Sequence, residues 1–248
     1  MHKTDQIYGI RAIIEAINAE KPIDKIFIQR GLKGNLSKEL EALARRHGIN
    51  TSYVPIEKLN RLTKNNHQGA VAKTSPISFY DFEELVEQLA NMPTPPLLLL
   101  LDQVTDVRNF GAIIRTAECA GVNAIIIPKQ GGAPVTADTV KTSAGAVFKV
   151  PIAKVEHIKD AIHYLQASAI KVIAATEKTT NTIYDVSFNG PCAIVMGAEG
   201  KGISPSSLKA VDEKAKLPLL GEISSLNVSV ACGVFLYEAV RQRSIIKK

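Results

Sequence analysis

Cysteine is scarce in this sequence: 3 in 248 residues, Cys119, Cys192 and Cys232, far apart and odd in number. Such a set builds no disulfide scaffold and fits a reduced, cytoplasmic protein. No C-x-x-C occurs and the 5 histidines form no ligand pair, so a zinc site is not expected. Long apolar runs are missing as well. Stretches such as Leu97–Leu101 and Ala124–Ile127 fall far short of the roughly 18–20 residues that cross a bilayer, so no membrane partner is expected. Met1–Asp5 has no apolar core behind a basic start, so it does not read as a secretory signal.

The familiar nucleotide and hydrolase motifs are also absent. Gly197-Ala-Glu-Gly-Lys-Gly is glycine-rich, yet Gly202 stands where a Walker A loop needs Ser or Thr, and the loop's opening glycine is missing. Gly200-Lys-Gly-Ile-Ser-Pro lacks the third glycine of a dinucleotide fingerprint, and no G-x-S-x-G occurs. An NAD-dependent oxidoreductase, a P-loop ATPase and a serine hydrolase therefore lose their best support.

What is present is a globular composition, 46% hydrophobic and 22% charged, with a net charge of +6. That length and apolar fraction suit one large domain or two small ones and exclude disorder for most of the chain. The charge is uneven. Residues 1–78 hold 13 Lys and Arg against 7 Asp and Glu, residues 79–96 hold 4 acids and no base, and residues 97–248 hold 17 bases against 13 acids. Basic blocks favour a polyanionic partner such as nucleic acid, because phosphate contacts release counterions.

The pattern divides the chain at the same places. Asn91–Pro96 reads NMPTPP, an extended linker that no helix can continue through. Before it, Phe79–Ala90 carries Phe82, Leu85, Val86 and Leu89 at helical spacing. Residues 1–78 alternate helix and strand as a small α/β domain. Helices are expected over Tyr8–Ile17, over Ser37–His47 with Ser37 as N-cap, and over Ile56–Leu62. Strands are expected over Lys25–Gln29, Thr51–Val54 and Ala70–Lys73.

Residues 97–248 alternate more strongly. Strands are expected at Leu97–Leu101, Ala124–Ile127, Lys171–Ala175, Ala193–Met196 and Lys216–Leu219. Helices are expected at Gly111–Ala120, Ile158–Ala167 and Leu226–Arg243. Near-continuous apolar strands between helices imply a parallel sheet covered on both faces. Ligands of such sheets bind beyond the carboxyl ends of the strands, which directs attention to the residues after Leu101, Thr176, Met196 and Leu219.

Three polar constellations lie at or near such ends, and a fourth lies in the first, basic block. Asp102–Ala117 places Asp106, Arg108, Asn109 and Arg115 between a buried strand and a helix; Arg115 offers a planar fork for phosphate or carboxylate, or pairs with Asp106 or Glu118. Ala193–Ser204 sets Glu199 among glycines that let a ligand approach the backbone. Leu217–Glu238 leads into a long helix capped by Ser224 or Ser225, with Asn227 and Ser229 at its first turn. Lys64–Gly69, with His67, reads as an exposed polar loop able to contact RNA.

Together these segments resemble the SpoU branch of the knotted 2′-O-ribose RNA methyltransferases. Asn109-x-Gly111-x3-Arg115-Thr-Ala, Met196-Gly-Ala-Glu199-Gly-x-Gly-Ile, and Leu217-Pro-Leu-x-Gly221 followed by Ser225-Leu-Asn227-Val-Ser229-Val-Ala look like the family's three motifs, in its order. Tyr8-Gly9-x3-Ile13-x-Glu15-Ala16 and His67-Gln-Gly-x-Val-Ala72 are similar to the ribosomal-protein-like substrate-binding domain of the RlmB group, which methylates a guanosine in large-subunit 23S rRNA. One position departs: Val107 follows Asp106 where the family usually has proline.

The resemblance implies a trefoil-knotted, parallel-sheet methyltransferase domain over 97–248. It also implies a small α/β RNA-binding domain over 1–78, joined to the first by a helix and proline-rich linker over 79–96. It implies S-adenosylmethionine bent within the knot, held by the loop after Thr176, the Gly197 turn, Leu217, Leu219 and Leu226. It implies a homodimer through the C-terminal domain. The catalytic set it implies is Arg115, Asn109, Glu199, Asn227 and Ser229. Arginine keeps its proton at neutral pH, so Arg115 is expected to fix a phosphate and stabilise developing alkoxide, with Asn109 orienting Arg115 or the ribose. Glu199 and Ser229 would hold the substrate or the arginine, and Asn227 would order the knot loops. A tRNA substrate, or a non-catalytic RNA-binding assembly factor, stands as the alternative.

Overall fold

The computed structural model describes residues 6–223 and 225–245. Contacts divide the chain into two compact units, Met1–Ser78 and Phe79–Lys248.

The first unit runs β1 (Gln6–Tyr8), α1 (Ile10–Asn18), β2 (Ile23–Gln29), α2 (Asn35–Arg46), β3 (Asn50–Val54), α3 (Ile56–Leu62) and β4 (Ala70–Thr74). Its sheet has the order β1-β4-β2-β3. Ile10, Ile13, Ile14 and Ile17 fall on one face of α1 and all are buried. They pack with Ile26, Ile28, Leu40, Ala70 and Ala72. Strand alternation turns Phe27 and Val71 to the other face, where Leu59 of α3 meets them. Ser37 does not cap α2. It is the third helical residue and buried, and Gly34 is the N-cap at φ +130°. Glycine takes that conformation freely and serine does not, so the helix begins two residues before Ser37.

The second unit runs α4 (Phe82–Ala90), β5 (Leu97–Asp102), α5 (Val107–Cys119), β6 (Ala124–Pro128), α6 (Ala137–Thr142), β7 (Ile152–Val155), α7 (Ile158–Ala167), β8 (Lys171–Ala175), β9 (Cys192–Gly197), α8 (Pro205–Ala210), β10 (Glu213–Ala215) and α9 (Val228–Ile245). The sheet order is β10-β8-β9-β5-β6-β7, and every pair is parallel. β5 and β9 are buried throughout, as their unbroken apolar runs require. One face of the sheet packs on α4 and α7 through Leu85, Val86, Leu89, Ile158, Ile162 and Leu165. Residues of β5, β6 and β9 that alternate with that set point to the opposite face, where α9 lies against β9 and α5 lies against α9.

Residues 79–96, expected as a helix and linker, belong to this unit. Tyr80 N–H donates to Ile152 O at 2.9 Å, and three residues of α4 are in the core. The helix starts at Phe82 and not at Phe79, because the Asp81 carboxylate accepts the N–H groups of Glu83 and Glu84.

The strand expected at Lys216–Leu219 lies earlier, at Glu213–Ala215, and only Lys216 extends it as a bridge to Thr182. Pro218 has no N–H to continue the ladder. The chain there runs beside the loop that follows β8, with Lys216 N–H donating to Asn181 O and Ile183 N–H to Lys216 O. After the turn at 217–227, α9 returns across the sheet. Its far end is tied down by Arg243, whose guanidinium donates to Phe188 O, Pro95 O and Gly190 O at 2.8–2.9 Å.

Candidate active site at the carboxyl edge of the sheet

Three elements end at the carboxyl edge of β5 and β9 and meet there. The first is the start of α5. Asp106 accepts the Asn109 N–H at 2.7 Å and so begins the helix at Val107, four residues before the expected Gly111. Val107 is thus the first helical residue, a position that tolerates proline without requiring it, so the departure from the motif leaves the turn intact. Asn109 is carried on the first turn of a helix and not on a loop.

The second element is a tight hairpin after β9. Ala198 and Gly202 exchange both backbone hydrogen bonds, at 3.0 and 2.8 Å. Gly200 and Gly202 take positive φ to close it, and Glu199 stands exposed at its tip. At its base a Cβ on Gly197 would overlap the backbone of Gly202 and Ile203. Glycine here is a steric requirement.

The third element is the start of α9. Asn227 caps it: Asn227 Oδ1 accepts the Ser229 N–H at 2.9 Å and the Ser229 hydroxyl at 2.6 Å. The cap is therefore neither of the two expected serines. Ser225 lies before it, and Ser224 falls outside the described residues. Asparagine serves because its amide has an acceptor for the helix and a donor left over.

That spare donor links the three elements. Asn227 Nδ2 donates to Asn109 Oδ1 at 3.0 Å, and Asn109 Nδ2 donates to Glu199 Oε2 at 3.3 Å. Ser229, Asn227, Asn109 and Glu199 form one directed chain of hydrogen bonds from α9 through α5 to the hairpin. Both asparagine orientations are settled by it, since the reversed amides would set donor against donor.

Arg115 is not in this chain. Six residues separate it from Asn109 on α5, about 240° around the helix, so Asn109 does not orient Arg115, the first of the two roles expected of it. Asn109 orients Glu199 and Asn227 instead. Arg115 is exposed and shares its face with Arg108, one heptad earlier. The acids that might have paired it are committed elsewhere: Asp106 caps the helix, and Glu118 lies 3.5 Å from Lys149. Among the described residues no partner holds the Arg115 guanidinium.

The residues expected around a cofactor lie at the ends of neighbouring strands. Thr176 N–H donates to Ala215 O at 2.9 Å, which fastens the exit of β8 to β10. Leu217 follows β10, and Leu219 and Leu226 are 41% and 44% exposed, with Leu220 and Ile223 still more so. The backbone polar groups of 217–223 have no protein partner among the described residues. Apolar side chains beside unclaimed backbone donors and acceptors suit a flat heteroaromatic ring with polar edges, and S-adenosylmethionine carries such a ring.

Some functions of the edge were not legible from the sequence. Asp102, buried at the end of β5, accepts from the Ser204 N–H and hydroxyl at 2.9 and 2.6 Å, and Ser204 in turn caps α8. A cleft of about 320 Å³ opens beside it, lined in part by Gln103, Gln130, His157 and Lys159. His67 in the first unit is a correction. It is buried, its Nδ1 accepts the Gly69 N–H at 3.0 Å and its Nε2 bonds Asn60 Oδ1 at 2.9 Å. It pins the loop, and Lys64, Asn65, Asn66 and Gln68 are the exposed members. The buried thiols stay protonated: burial raises Cys192 and pushes Cys232 up to about 12.

Residues 96–237, which hold all three linked elements, match the SpoU rRNA Methylase family. The chain belongs to that family. Residues 6–80 match a second description, RNA 2′-O ribose methyltransferase substrate binding. Similar proteins span the whole length. The 23S rRNA (guanosine-2′-O-)-methyltransferase RlmB of Pseudomonas putida is 35% identical, covering 99% of each chain. RlmB of Escherichia coli strain K12 is 36% identical over 97% of this chain and 100% of its own. Among solved structures, the SpoU methyltransferase AviRb from Streptomyces viridochromogenes, in complex with AdoMet, superposes with a TM-score of 0.62. It is 24% identical and covers 97% of this chain and 90% of that one. The A. aeolicus TrmH/SpoU tRNA modifying enzyme gives a TM-score of 0.56 at 28% identity, over 67% of this chain and 86% of its own. The fold is the SPOUT α/β methyltransferase fold with an N-terminal substrate-binding domain, as the SpoU motifs implied. Among the described residues no helix is long and apolar enough to cross a membrane.

Proposed function

We propose that this SpoU protein transfers the methyl group of S-adenosylmethionine to the ribose 2′-oxygen of a guanosine in 23S rRNA. The observation that carries the reading is the Ser229–Asn227–Asn109–Glu199 chain, which joins all three motif segments at one edge of the sheet. The rRNA substrate is supported by the full-length relatives named as 23S rRNA methyltransferases, at 35–36% identity over both units, against 28% over 67% of the chain for the A. aeolicus tRNA modifying enzyme.

The bound cofactor supplies an already activated methyl on a sulfonium, so the protein's task is to position the hydroxyl and relieve its proton. Leu217 and Leu226 would wall the adenine, backbone groups at 217–223 would read its edges, and the loop after Thr176, the Gly197 turn and Leu219 would complete the set that holds it. Glu199, its carboxylate steered by Asn109, takes the ribose side. Asn227 holds the knot segment and α5 at fixed separation, and Ser229 locks Asn227. Arg115, charged and unclaimed, binds the target phosphate and stabilises the developing alkoxide.

The same reading includes a homodimer through the C-terminal domain and a cytoplasmic location, which the three free cysteines suit. Val230, Val234 and Tyr237 form an exposed stripe one helical face long on α9, each 41–52% exposed. Thr116 of α5 faces Gly233 of α9, and Arg115 is its exposed neighbour on α5. Val234→Glu is expected to turn a dimer into a monomer in sedimentation velocity and to lower methyl transfer with it. A native chain that sediments as a monomer at micromolar concentration contradicts the dimer. For the cofactor, S-adenosylmethionine at about 100 times its Kd stabilises the fold by about 2.7 kcal/mol. A raised melting temperature is expected with it and no rise with NAD; the reverse pattern rejects the reading.

A further inference from the structure

The sheet of the first unit is sealed on one face and partly open on the other. α1 and α2 seal the face of Ile26, Ile28, Ala70 and Ala72. On the other, α3 covers Phe27, Val54 and Val71 through Leu59 and Leu62. The register leaves one cross-sheet row beyond that cover: Gln6 opposite Lys73, Lys73 opposite Lys25, and Lys25 opposite Asn50. Two lysines therefore stand side by side on adjacent strands, a placement that opposes folding.

A third cation joins them from α3. The Nζ atoms of Lys25, Lys58 and Lys73 lie 5.4, 5.6 and 5.9 Å from the centre of the Phe27 ring. Phe27 is only 7% exposed. The aliphatic stems cover the ring and the ammonium groups are held near its face. Among the described residues no acid pairs with any of the three. Stability alone favours an acid in that row. Three unneutralised cations fixed around one ring are completed by a polyanion.

We infer that the Lys25–Lys58–Lys73 cluster is a docking surface for RNA backbone phosphates, distinct from the exposed loop at 64–68. The inference rests on the RNA-methylation reading for the identity of the polyanion. RNA fits better than an acidic protein because the lysines are flanked in the same row by the amide of Gln6, and Lys and Gln together are usual makers of phosphate and sugar contacts. The surface reads charge and not sequence, so its loss weakens binding evenly and lowers the salt dependence.

The test uses the full chain and deproteinised large-subunit rRNA, with affinity measured over a series of salt concentrations. The variant Lys25→Gln/Lys58→Gln/Lys73→Gln is compared with Lys38→Gln/Arg45→Gln/Arg46→Gln, which removes three exposed charges from α2. The cluster variant is expected to lose about tenfold or more in affinity at ~0.1 M salt, with the slope of log K against log salt reduced by about 2. Its KM for rRNA rises while kcat and the stabilisation by S-adenosylmethionine hold, and the melting temperature does not fall. The α2 variant changes the slope by less than about 1. Native affinity and slope in the cluster variant, or an equal loss in the α2 variant, overturns the inference. So does polyglutamate that binds as tightly as RNA of equal charge and depends on the same lysines. If the native chain methylates no RNA yet the cluster variant still loses RNA affinity, the surface stands and the methylation reading falls. If the native chain methylates rRNA and the cluster variant binds like it, the reverse holds.

Discussion

Arg115→Lys loses most of the methyl-transfer activity although it keeps the charge, and Arg115→Ala loses at least as much. The expected fall in kcat is about 10²–10³-fold, the range for removing one preorganised donor to a developing oxyanion. Lysine fails because its ammonium is a point charge, whereas the guanidinium fork holds a phosphate oxygen and the alkoxide in one plane. Neither variant should disturb the fold. Arg115 is exposed and has no partner among the described residues, and surface changes of that kind usually stay within about 0.5 kcal/mol. Equal melting temperatures with lost turnover place Arg115 in the chemistry. Native-like turnover in Arg115→Lys removes the argument for a planar fork.

Gly197→Ala is the second large effect, and it acts on structure and site together. The new Cβ would collide with the carbonyl carbon and oxygen of Gly202 and with the Ile203 nitrogen. All three are backbone atoms closed by the Ala198–Gly202 pair, so no side chain can swing aside. Overpacking of about 1–3 kcal/mol, together with two strained backbone hydrogen bonds of about 1 kcal/mol each, gives a loss near 3 kcal/mol or more. For a chain of this size that is a drop of about 6–12 °C in Tm. Opening the hairpin also frees Glu199 from Asn109, so activity falls even below the new Tm. Gly200→Ala is the control. Gly200 has φ +78° but open space where a Cβ would stand, so only the left-handed strain of about 1–2 kcal/mol applies. Equal melting temperatures for the two variants contradict the steric account.

Much of this was legible in the sequence because it depends on local pattern. The isoleucines of α1, the apolar runs of β5 and β9, and the motif residues at strand ends stand out by spacing and residue type alone. Other features depend on partners distant in sequence. Glu199 meets Asn109 across 90 positions and Asn227 meets it across 118; no periodicity announces a donor that closes such a gap. The cap of α9 is Asn227 and not one of the serines that precede it, because only an amide also reaches Asn109 across the fold. His67 looked exposed among polar neighbours, but the Gly69 and Asn60 bonds satisfy both ring nitrogens and bury it. The expected orienting of Arg115 by Asn109 fails on helical geometry: α5 starts four residues early, which puts both on one helix and on different faces. The acidic, proline-ended stretch 79–96 read as a connector from its composition. Its three buried residues, Leu85, Val86 and Leu89, are ordinary in number, and their burial follows from docking on β7 and α7.

The central claim is methyl transfer to a ribose of rRNA from this linked site. Labelled methyl from S-adenosylmethionine is offered to deproteinised large-subunit rRNA, with Arg115→Ala in parallel, and any product is mapped. The account predicts label at one guanosine, resistant to alkali as 2′-O-methylation requires, and absent with the variant. No label on rRNA while the native chain binds the cofactor, or label that persists with Arg115→Ala, would contradict it.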